Sequence, residues 1–99
     1  MNKSAILATL KRIKKNENGK DLTHRDVVAL AYGLISVLED ITDITHETHE
    51  QLELFLRMMT KRGVPHHARC YQAAYCIWLL EADDEPKKWQ EIVPGYEDF

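Results

Sequence analysis

The sequence predicts an all-α fold, a compact bundle of four main helices followed by a short C-terminal helix. Three observations carry that expectation. Apolar residues recur at intervals of three and four through most of the chain, with no sustained alternation of the kind a half-buried strand needs. Only four glycines and three prolines occur in 99 residues, and they fall between the periodic segments. Each segment is bounded by residues that start or stop helices.

The first segment runs from Ser4 to about Lys15. Ser4 is a candidate N-cap, and Ile6, Leu7, Leu10 and Ile13 share one face. Lys11, Arg12, Lys14 and Lys15 complement the negative end of its dipole, and Asn16-Glu17-Asn18-Gly19 stops it. The second segment opens on Thr23-His24-Arg25-Asp26, a capping box with Asp in place of Glu. It extends to about Ile41 and shows almost no polar face before Glu39, so burial on most sides is expected. Gly33 at its centre predicts close approach of a neighbouring helix. The β-branched, cap-like stretch Thr42–Thr45 predicts a break, although a single helix from Thr23 to Arg62 is the alternative. The third segment carries Leu52, Phe55, Met58 and Met59 and ends at Lys61-Arg62, with Gly63 as its terminator. Pro65 starts the fourth, in which Cys70 to Leu80 is nearly free of polar side chains. Pro86 opens the short helix Lys87–Val93, and Pro94-Gly95 closes it before the tail.

A chain of this length forms one domain, here 1–22 as a basic helix and linker, 23–62 as the middle, 63–93 as the buried and short helices, and 94–99 as a tail. Net charge is −3 but unevenly spread: +5 over residues 1–25, −6 over 26–60 and −2 over 61–99. The basic arm is expected to pack against the acidic middle. Cys70 and Cys76 lie six apart in one helix, about 9 Å along its axis, which is too far for a disulfide. With no signal-peptide pattern and no membrane-spanning run, a reducing, cytoplasmic location is expected.

Motifs for chemistry are sparse. His46-Glu47-Thr48-His49-Glu50 places its histidines three apart, whereas the metalloprotease helix needs four. A metal site would have to join His46 and His49 to His66, His67 or Cys70 across separate elements, and no metal or cofactor is expected. No phosphate-binding glycine loop or nucleophile elbow is present, so the expectation is a non-enzymatic protein. Ala29-x-x-x-Gly33 has helix-turn-helix spacing. Glu39 then stands where the second helix needs an apolar residue, and Leu34-Ile35 fill the intended turn, so one continuous helix is the better reading. Lys3, Lys11, Arg12, Lys14, Lys15 and Lys20 offer a phosphate-contacting surface for a nucleic-acid-associated regulator. Leu54-Phe55-x-x-Met58 with Lys61-Arg62-Gly63-Val64 resembles one pentatricopeptide-type helical hairpin. With no second copy, an ordinary αα-hairpin is expected.

The functional expectation is a small binding or regulatory protein that works through protein–protein contacts as a homodimer. The apolar surplus places the dimer interface on Leu30, Leu34, Leu38, Ile41, Phe55 and Met59. The chain end, with Trp89, Tyr96 and Phe99 beside Glu97-Asp98, is a candidate partner-binding tail. It resembles the acidic tails of bacterial single-strand-binding proteins.

Overall fold

Four α-helices account for nearly all the regular structure in a computed structural model of the chain, which describes residues 3–16 and 19–82. Helix α1 spans Lys3–Lys14, α2 His24–Val37, α3 His46–Met59 and α4 His66–Glu81, with a 3-10 turn at Leu38–Asp40. Among the described residues there is no strand, and no helix is long and apolar enough to cross a membrane. The short helix over 87–93 and the tail residues Trp89, Tyr96 and Phe99 lie outside the described residues.

Local chemistry places the helix starts. The Thr23 hydroxyl accepts from the Asp26 amide at 3.1 Å, and the Asp26 carboxylate accepts from the Thr23 amide at 3.0 Å, completing the expected capping box. Thr45 caps α3 by accepting from the Thr48 amide at 3.2 Å, so the chain breaks in the Thr42–Thr45 stretch and residues 23–62 form two helices. Pro65 occupies the N-cap of α4.

The helix ends differ more from expectation. Helix α2 stops at Val37 and tightens into the 3-10 turn, as helix C-termini often do. Helix α3 stops at Met59, three residues before the expected Arg62, because Thr60 turns its hydroxyl back onto the Arg57 carbonyl (2.7 Å) and Arg69 of α4 binds the Met59 and Lys61 carbonyls. Gly63, at φ +81°, makes the following turn.

All four helices contribute to one core. Ile6, Leu10 and Ile13 of α1 meet Val27, Ala31 and Leu34 of α2, Leu52, Leu56 and Met59 of α3, and Ala73, Cys76, Leu79 and Leu80 of α4. Helix α4 is the hub, packing most extensively on α1 and next on α3; α2 packs on α3, and α1 touches α2 only slightly. The basic arm therefore lies mainly against α4 and not against the acidic middle. The Lys3 amide, which donates to the Asp43 carboxylate at 3.1 Å, is one link between the two.

Two expectations about α2 are corrected. It buries one stripe, and Ala29, Tyr32, Gly33 and Ser36 face solvent. Among the described residues no helix approaches Gly33: a Cβ built there meets nothing within 4 Å. Both follow from the slight α1–α2 contact. Cys70 and Cys76 are buried, and burial pushes the Cys76 thiol up to about 12, leaving it inert as a nucleophile.

Candidate functional site

Antiparallel packing brings the end of α1, the start of α2, the end of α3 and the start of α4 to one end of the bundle. Hydrogen bonds tie that end together. Asn16, buried after α1, accepts from the Leu22 amide (3.0 Å) and the Asp21 amide (3.2 Å) and donates to the Leu22 carbonyl (2.8 Å), clasping the loop into α2. Its Nδ2 also reaches His66 Nδ1 at 3.5 Å. The His66 ring stacks on His24 with centroids 3.8 Å apart. Gly19 lets this ring fit: its φ is +67°, and a Cβ there would lie 2.6 Å from His66 Nε2.

Arg69 lies beneath this pair and is only 3% exposed. Its Nε donates to the Met59 carbonyl at 2.9 Å, Nη2 to the Lys61 carbonyl at 3.3 Å, and Nη1 to His24 Nδ1. The Met59 carbonyl is one that the end of α3 leaves without an intrahelical partner and the Lys61 carbonyl belongs to the turn that follows, so Arg69 caps α3 from another helix. Neither Asn16 nor Arg69 stands out in the sequence. An Asn after a helix reads as a stop signal, and a lone Arg in the first turn of a helix reads as solvated.

Charge follows the same geometry. Ten of the eleven lysines and arginines among the described residues belong to the last turns of α1 and α3, the first turns of α2 and α4, or the loops joining them. Glu39, Asp40, Asp43, Glu47, Glu50 and Glu81 belong to the other end. A cavity of about 670 Å³ opens at the basic end, between the start of α2, the α3–α4 turn and Arg69.

A second surface runs along α3 and α4. Tyr71, Tyr75 and Trp78 follow one another by a turn on the outward face of α4, and Leu54, Phe55 and Met58 line the adjacent face of α3. Phe55 and Tyr75 are in ring contact at 4.3 Å, and Tyr75 and Trp78 at 5.6 Å. Tyr71 is 77% exposed and Leu54 54%.

The residues expected at a dimer interface divide in two. Leu38 and Met59 are sealed inside the chain's own core and Leu34 and Ile41 nearly so, because the 3-10 turn folds Leu38 and Ile41 inward; Leu30 and Phe55 stay half-buried. The histidines considered for a metal site are not brought together. His46 pairs with Glu50 (2.9 Å) at the start of α3, about 20 Å along the helix from the end where His66 meets His24 and the Cys70 thiol donates to the Ile13 carbonyl. Among the described residues no group of three metal-binding side chains converges.

The stacked histidine pair makes stability pH-dependent. Burial, with help from His24 and Arg69, holds the His66 pKa below its ordinary 6.5. The folded state is thus the poorer proton acceptor. Its contribution is complete above pH 6.5 and is lost as the unfolded chain protonates below that value. Urea midpoints should fall from pH 7.5 to 5.5, and His66→Gln should flatten that fall; an unchanged slope in the variant excludes His66 as its source.

No protein-family model matches the chain, and neither a curated protein nor a solved structure resembles it. Function has to rest on these surfaces.

Proposed function

We propose that the chain is a small, non-enzymatic binding protein of regulatory type that acts through protein–protein contacts as a homodimer. The observation that supports this reading is the aromatic and aliphatic stripe of α3 and α4. Contiguous exposed apolar surface marks interaction sites, and aromatic residues with Met are enriched at the centres of interfaces. A second copy carries the same face, and twofold pairing of two α3–α4 hairpins gives each stripe an apolar neighbour. Of the six residues expected at the interface, Phe55 is the one this arrangement keeps at its centre. Two buried cysteine thiols fit a reducing compartment, and the cytoplasm is the proposed location.

Sedimentation equilibrium tests the pairing. At tens of micromolar the protein should show twice its 11.5 kDa chain mass, and Leu54→Glu with Tyr71→Glu should return it to the monomer with unchanged helical circular dichroism. The monomer mass for the unmodified protein rejects the dimer.

A second reading, a nucleic-acid-associated regulator, draws on the collected basic end. It requires affinity for polynucleotide that falls steeply with salt and depends on Lys11, Arg12, Lys14 and Lys15.

A further inference from the structure

The cavity at the basic end has a chemistry that neither proposed reading uses. Its charged wall is formed by Arg25 from α2, Lys61 and Arg62 from the α3–α4 turn, and Arg69 from α4, with the His24 imidazole beside them; among the described residues no carboxylate lines it. Val28, Val64 and Pro65 supply an apolar side. We propose that this cavity binds the phosphate group of a nucleotide-sized small molecule.

Three features, two of them centred on Arg69, converge on an anion. Arg69 is buried with carbonyls and a histidine as its partners and no carboxylate within ion-pairing distance among the described residues. A buried cation without a counter-charge is costly, and a bound anion supplies one. Arg69 also donates to His24 Nδ1, which leaves Nε2 as the ring nitrogen that can serve as a further donor. Helix α4 begins at this cavity with Pro65 as an N-cap that makes no side-chain cap bond, so the positive end of the helix dipole adds to the field.

The magnitude of the charge selects phosphate over a single carboxylate. Arg25, Lys61 and Arg62 are three exposed basic side chains, and a dianion matches them better than a monoanion; the planar guanidinium fork suits phosphate oxygens. The concavity selects a small molecule. About 670 Å³ lies within the range of small-ligand sites, and the apolar wall gives an organic moiety somewhere to rest.

Two-dimensional amide spectra of the full chain, titrated with adenosine monophosphate at low salt, test the proposal. Saturable shifts at Arg25, Arg62, Gly63 and Arg69 are expected. Arg25→Ala with Arg62→Ala should weaken binding ~10-fold or more while leaving the fold and the oligomeric state unchanged. Lys14→Ala with Lys15→Ala removes equal charge from the same end but outside the cavity, and should leave affinity within about twofold. Inorganic phosphate should compete with the nucleotide. Equal losses in the two double variants, or no saturable shift at these residues, overturns the proposal. So does a single-stranded oligonucleotide that binds more tightly than the nucleotide and needs Lys14 and Lys15, which assigns the basic end to polynucleotide. The stripe on α3 and α4 is untouched by these variants, so failure here leaves the dimer proposal standing.

Discussion

Replacing Arg69 with methionine should lower stability by about 2–4 kcal/mol. Methionine keeps much of the volume and the unbranched shape, so the loss reports the guanidinium rather than a cavity. What disappears is the bond to the Met59 carbonyl at 2.9 Å and the bond to the Lys61 carbonyl at 3.3 Å. Both acceptors stay where the helix end and the turn put them, and the Met59 bond is a buried one. Leaving such an acceptor unpaired costs more than the bond itself contributes. Arg69→Lys should recover part of the loss, since an ammonium can reach one carbonyl but cannot span two. Urea unfolding followed by circular dichroism measures both variants. A change below about 1 kcal/mol for Arg69→Met removes Arg69 from the list of structural clamps.

Leu38→Ala should cost about 2–5 kcal/mol, and the cost should not depend on protein concentration. Leu38 is 1% exposed within the single chain, so its truncation opens a cavity in the monomer core. Leu54→Ala, at a position 54% exposed, should by contrast stay within about 0.5 kcal/mol in dilute solution and lose more at high concentration, where pairing adds to apparent stability. Denaturation at two concentrations a hundredfold apart separates the two. A concentration-dependent cost for Leu38→Ala would mean that Leu38 is exposed in the separated subunit.

That contrast marks where the sequence was legible and where it was not. Helix class and the starting points of α2 and α3 are local properties, whereas α1 begins at Lys3 with the expected cap Ser4 inside it. Thr23 with Asp26, and Thr45 before Thr48, announce themselves because a cap is made by residues three apart. Helix ends are less local. Where α3 stops depends on Arg69, ten residues beyond the Met59 carbonyl it takes. The apolar abundance of the second segment suggested faces for another subunit, but periodicity counts apolar positions and does not say which are covered by the same chain. The 3-10 turn draws Leu38 and Ile41 into the core, and no pattern in the sequence signals that rotation. Gly33 shows the opposite limit, since a helical glycine fits close approach and open solvent equally well. The basic cavity was illegible for a further reason. Its cations come from positions 25, 61, 62 and 69, each unremarkable in its own segment, and only antiparallel packing collects them.

The dominance of the α1–α4 contact sets an order of events during synthesis. The stripe Ile6, Leu10 and Ile13 leaves the ribosome first, but the helix that covers it begins at His66. At typical elongation rates the fifty or so residues between them take roughly 3–10 s to make. Over that interval α2 and α3 can pair behind an N-terminal helix whose main partner does not yet exist. The nascent chain therefore carries an amphipathic, cationic helix with its apolar side uncovered, and ribosomal RNA and nascent-chain chaperones are the surfaces nearest to it.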